Sequence, residues 1–78
     1  MTLWFENSLG DMRQVAHCDS WEEIYLEIQN FIEQANAAKG PGAPKFKIYY
    51  MRSWEDTTTG MTKIDIGSWS EFFYVSED

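Results

Sequence analysis

Apolar positions along this chain follow two periods. From Trp21 onward, Ile24, Tyr25, Ile28, Phe31, Ile32 and Ala35 recur at i, i+3, i+4 and i+7, one stripe of a 3.6-residue repeat, which predicts an amphipathic helix. Ser20 with Glu23 matches a capping box, and Asp19, Glu22 and Glu23 suit the positive end of a helix dipole. Lys39 falls near the other end, with Gly40 positioned as a C-cap. Leu26 lies off the stripe. The run GPGAP that follows excludes regular structure and reads as a short linker.

On either side of this segment the period falls to two. Thr2 to Glu6 reads as a strand, with Arg13 to Cys18 as its hairpin partner. After the linker, Lys45 to Trp54 (KFKIYYMRSW) alternates as one long strand. EDTTTG forms a turn, and Met61 to Ile66 pairs back across it. GSWS bends the chain before a short strand from Glu71 to Val75. The expected order is β-β-α-β-β-β, an α+β fold in which one helix packs on a four- or five-stranded antiparallel sheet, forming a single domain over residues 1–78.

One helix covers only one face of a sheet. The expected core face is Leu3, Phe5, Val15, Phe46, Ile48, Tyr50, Ile64 and Ile66. The other face then carries Trp4, Lys45, Lys47, Tyr49, Met51, Lys63 and Asp65, a mixture of aromatics and cations unlike a plain solvated face. A second copy of the chain, in a homodimer or higher oligomer, would cover it; participation in ligand binding is the alternative. At 78 residues the core is near the lower limit of sufficiency, and aromatics at 17% of the chain enlarge the area it buries.

Charge changes this picture in two ways. With 6 basic residues against 13 acidic ones the net charge is −7, which argues against direct nucleic-acid binding or attachment to an anionic membrane. The signs are also segregated. The first 38 residues hold Arg13 alone against seven acids (Glu6, Asp11, Asp19, Glu22, Glu23, Glu27, Glu33), whereas Lys39, Lys45, Lys47, Arg52 and Lys63 fall together in the second half. No apolar run is long enough to span a membrane, and MTLWFENSLGDMR lacks the basic start and long apolar middle of a signal peptide. A lone cysteine, Cys18, forms no internal disulfide and fits an intracellular location.

The residues give catalysis little support, and no enzyme is expected. His17, Cys18 and Asp19 are consecutive, so on a strand they point to alternate faces and do not converge on one reacting atom. One His and one Cys make no zinc site in a single chain, and no Gly-rich phosphate loop follows a strand; neither metal nor cofactor is expected. Binding has more to draw on. A small nucleotide-type ligand needs an aromatic plate for its base, cations or backbone N–H groups for phosphate, and polar groups for ribose hydroxyls. Tyr49, Trp54 and Trp69 supply plates, Lys47, Arg52 and Lys63 supply charge, and Asp65 and Ser68 supply hydroxyl partners. The alternative is structural, with the tryptophans closing the core and the cations covering the sheet rim. A further binding mode uses the acids: Asp19, Glu23, Glu27 and Glu33 on the outer helix face are spaced to imitate phosphates in a basic groove.

SWEEIYLEIQNFIEQ, YYMRSW and TKIDIGSWSEFF together resemble small uncharacterised proteins of phages and prophages of Gram-positive bacteria. Those proteins run from a Trp-Glu-Glu helix through a Tyr-Tyr-x-Arg-x-Trp strand to an Ile-Asp-Val-Gly-Ser-His-x-Glu-Phe-Phe ending. Ile66 stands here where Val is usual, and Trp69 where His is usual, so no role that needs an imidazole carries over. The resemblance covers nearly the whole chain. It implies a phage accessory protein acting in the cytoplasm of the infected host against bacterial defence, by one of two routes. One is a sponge that sequesters a nucleotide immune signal, such as a cyclic or modified ADP-ribose or a cyclic dinucleotide. The other is an acidic inhibitor docked on a defence nuclease, as many anti-CRISPR proteins are.

Overall fold

Alternating side chains in Thr2–Glu6 and Met12–His17 build a hairpin, β1 and β2, in the computed structural model, which describes residues 1–77. The helix α1 follows at Trp21–Ala37, then β3 at Arg52–Glu55, β4 at Thr62–Asp65 and β5 at Phe72–Ser76. All strand pairs are antiparallel and the sheet order is β2-β1-β5-β4-β3. The expected α+β class and element order therefore hold. The last strand, β5, inserts at the centre, with Leu3 opposite Val75, Phe5 opposite Phe73, and Ile64 opposite Phe73 on its other side. A bulge between Leu3 and Trp4 leaves Val15 as the extra residue of β2.

The helix starts as its sequence dictates. Ser20 is extended, and its Oγ accepts a hydrogen bond from the Glu23 N–H at 3.2 Å, while Glu23 reaches back to the Asp19 N–H at 3.0 Å. Its end differs from expectation. Ala38, in a right-handed conformation, closes the helix by donating its N–H to the Gln34 carbonyl, and Gly40 is not a left-handed cap. Ile24, Ile28 and Ile32 pack onto Leu3, Phe5, Ile64, Ile66, Phe73 and Val75. Each such fully buried aliphatic side chain contributes about 1.5–3 kcal/mol. Phe5, Phe31 and Phe73 meet with ring centroids 4.6 to 5.6 Å apart at the centre. Trp21 and Tyr25, on the same stripe, lie at its outer end and remain exposed, their rings 6.2 Å apart.

The largest correction concerns Lys45 to Trp54. Only Arg52–Glu55 is a strand, and residues 45–51 are irregular. Asn36 engages the start of this segment. Its side chain accepts from the Phe46 N–H at 2.6 Å and donates to the Phe46 carbonyl at 2.8 Å, occupying both backbone groups a sheet partner would need. The segment is thereby pinned to the end of α1, and its next anchor is the Tyr49 N–H on the Ile66 carbonyl at 3.0 Å. Phe46 still packs on the core, but Ile48 (37%) and Tyr50 (46%), both expected inside, are exposed. Asp65 departs in the other direction. Expected on an open face, it is only 6% exposed. Cys18, Phe73 and Val75 complete the core.

Candidate functional site

Where α1 ends, the pinned segment and the bend after β4 face one another across a cleft of about 560 Å³. Three features define it. Lys39, Lys45 and Lys47 bring cations from the helix end and the segment that follows it. Tyr49, Tyr50 and Trp69 bring aromatic surface. Ser68, Ser70 and Glu71 bring polar groups from the bend. The volume falls within the range of small-ligand sites.

Gly67 makes the bend and seats the aromatics. Its φ is +96°, and a Cβ placed there would lie 2.9 Å from Tyr49 Cβ, so the bend packs backbone-close against Tyr49. Two residues before it, the buried Asp65 carboxylate organises three donors. Arg52 Nη2 lies at 2.9 Å and Tyr50 Oη at 3.4 Å from Oδ2, while the Gly67 N–H donates to Oδ1 at 2.8 Å. The Arg52 bond first, and the Gly67 N–H next, hold this carboxyl below the usual carboxylate range. Arg52 in turn lies over the Tyr50 ring, 4.9 Å from its centroid. The result is a braced corner in which charge, ring and backbone turn fix one another's positions.

The cations differ in how they are held. Lys39 Nζ donates to the Pro44 carbonyl at 2.9 Å and lies 5.4 Å from the centre of the Phe46 ring. Lys45 Nζ donates to the Asn36 carbonyl at 3.1 Å, at the negative end of α1, whose last turn has no basic residue of its own. Lys47 makes no hydrogen bond or ion pair among the described residues. Trp69 is 99% exposed and Tyr49 71% exposed, so two aromatic surfaces stand open to solvent beside these charges. Ser68 Oγ donates to Glu71 Oε1 at 3.1 Å and accepts from the Glu71 N–H at 3.3 Å, shaping the bend.

Of the residues named from sequence, Lys47, Tyr49, Ser68 and Trp69 come together at the cleft. Arg52 and Asp65 stand behind it as the braced corner, linked to it through Tyr50. The Asp65 oxygens accept from Arg52, Tyr50 and Gly67, and Asp65 does not line the cleft. Trp54 and Lys63 pair across β3 and β4 on the open sheet face and do not line the cleft. There Lys63 Nζ sits 4.0 Å from the Phe72 ring centroid and 5.5 Å from that of Tyr74. Lys39, Lys45, Tyr50, Ser70 and Glu71 join the site without having been assigned to it. The clustering of lysines just past a helix end was the available signal for the first two.

No group of three or more His, Cys, Asp or Glu residues that could hold a metal ion occurs among the described residues. Cys18 is buried, and burial, followed by the nearby Glu27 carboxylate, pushes its thiol up, away from a nucleophilic thiolate. No described helix is long and apolar enough to cross a membrane. No protein-family model, curated protein sequence or solved structure matches this chain.

Proposed function

We propose that the protein binds and sequesters a phosphate-bearing nucleotide without catalysis, the base against Trp69 and Tyr49 and the phosphate against Lys47 with its neighbouring lysines. The observation that carries this reading is the convergence of three lysines and three exposed aromatics on one cleft, in a chain whose net charge is −7. Locally positive charge beside ring faces favours an anionic planar ligand, and an acidic remainder disfavours nucleic acid. The resemblance to phage proteins directs the choice of nucleotide toward the immune signals of bacterial defence, both cyclic or modified ADP-ribose and cyclic dinucleotides. Calorimetric titration with a panel of these signals is the test. Saturable heat with at least one of them is expected, and a flat response to all would end the proposal.

One observation favours a second reading. The helix holds Glu22, Glu23, Glu27 and Glu33 with no Lys or Arg, beside the exposed Trp21–Tyr25 pair. An acidic face with aromatic anchors suits docking on a basic defence protein such as a nuclease. That reading requires a complex that weakens steeply with salt and with Glu23→Lys or Glu27→Lys, while the cleft variants leave it intact.

A further inference from the structure

The lysines of the cleft are not equivalent, and the difference bears on how many phosphates the ligand carries. Lys39 and Lys45 are held in place, each by one hydrogen bond to a backbone carbonyl, Pro44 and Asn36 respectively. An ammonium has three donors, so each keeps donors for a ligand. Both lysines belong to one knot around Phe46. The Asn36 side chain holds the Phe46 backbone, Lys45 binds the Asn36 carbonyl, and Lys39 lies over the Phe46 ring. This makes a fixed cationic locus at the end of α1.

Lys47 makes a second locus of a different kind. It lines the same cleft one residue past Phe46, toward Tyr49, yet its ammonium has no hydrogen bond or ion pair among the described residues. Glu71, the one acid lining the cleft among the described residues, is engaged with Ser68. A single phosphate presents its oxygens around one centre and is satisfied at one locus. A ligand with two phosphate groups offers one to each.

Resting on the nucleotide-binding reading above, we propose that the cleft selects nucleotides with two phosphate groups, one met by the Lys39/Lys45 locus and the other by Lys47, over those with a single phosphate. Trp69 and Tyr49 supply the surface for the base. Selection here is electrostatic and partly exposed to solvent, so it shrinks with added salt.

The experiment is a titration of the intact protein with adenosine, AMP, ADP, inorganic phosphate and pyrophosphate, followed by tryptophan fluorescence and calorimetry at low salt and at 0.15 M. One additional partly exposed ion pair, to Lys47, predicts ADP binding up to about fivefold tighter than AMP at low salt, with pyrophosphate ahead of phosphate in the same sense. Lys47→Met removes an ammonium that has no hydrogen bond or ion pair among the described residues, and it brings the ADP-to-AMP ratio down toward one. Lys45→Met does the same from the other locus, and its melting curve, read alongside, separates lost binding from lost structure. Equal affinity for AMP and ADP in the unaltered protein overturns the two-phosphate inference and leaves nucleotide binding standing. A ratio unchanged by Lys47→Met also overturns it. Absence of binding by every compound removes the inference together with the cleft's nucleotide assignment.

Discussion

Replacing Gly67 by Ala tests how the cleft is held open. Two costs follow from the geometry. With φ at +96° the residue lies where an L side chain is strained, which costs about 1–2 kcal/mol. The new methyl would also meet Tyr49 Cβ at 2.9 Å, Tyr49 Cδ2 at 3.2 Å and Tyr50 Cε2 at 3.3 Å. Relieving that overlap moves the Tyr49 backbone, because its Cβ has no rotamer to escape into, and overpacking of this kind costs about 1–3 kcal/mol. The total is about 2–5 kcal/mol. Gly10→Ala is the control: its φ of +86° carries the same strain, but nothing lies within 4 Å of the new methyl. The gain from stiffening the unfolded chain is common to both variants and cancels in the comparison. Urea unfolding followed by tryptophan fluorescence, with matched m values, gives both losses. Gly67→Ala is expected to exceed Gly10→Ala by about 1–3 kcal/mol, the overlap alone. If the two losses agree within about 0.5 kcal/mol, Tyr49 is not seated on the bend and the description of the cleft's aromatic wall fails.

Three further predictions rest on separate contacts. Asn36→Ala removes both hydrogen bonds that pin Phe46 and should cost about 1–3 kcal/mol, with faster amide exchange across residues 45–51 as the local readout. Asp65 has a lowered pKa in the fold, so its stabilisation is present above the unfolded value near 3.9 and is lost as pH falls through the lower folded value. Asp65→Asn should therefore destabilise at neutral pH and lessen the acid loss seen in the unaltered protein; an identical acid profile would contradict the three-donor corner. Trp69→Ala, at a side chain 99% exposed, should change stability by less than about 0.5 kcal/mol yet abolish nucleotide-dependent quenching in titrations.

Element types were largely legible from period alone. The helix stripe and its Ser20 cap appear where the pattern put them, as do β1, β2, β4 and β5 to within a residue or two. Lys45 to Trp54 misled because alternation describes side chains, whereas strand formation also needs free backbone partners. Asn36, ten residues before Phe46 and on another element, occupies both backbone groups of Phe46, and no local pattern encodes that contact. Ile48 and Tyr50 lie exposed in this segment, which borders the cleft. Four of the site residues converged because they lie on the two chain segments that border it. Asp65, expected on the open face, is buried behind the cleft. Its residue type fits either a ligand hydroxyl or an internal brace, and only its burial and three donors decide between them. Trp54 and Lys63 were grouped with the site by nearness in sequence, whereas the register sets them facing each other on the sheet.

Sequestration requires that the cleft hold a nucleotide and leave it unchanged. Native mass spectrometry of the purified protein, after incubation with a nucleotide extract from defence-activated bacteria, decides this, with the bound compound then released by heat and identified. The expected result is a discrete nucleotide-sized mass increment, lost in Trp69→Ala and diminished in Lys47→Met, and release of the intact compound. An unshifted protein mass, an increment that survives both substitutions, or release of a cleaved product would contradict it.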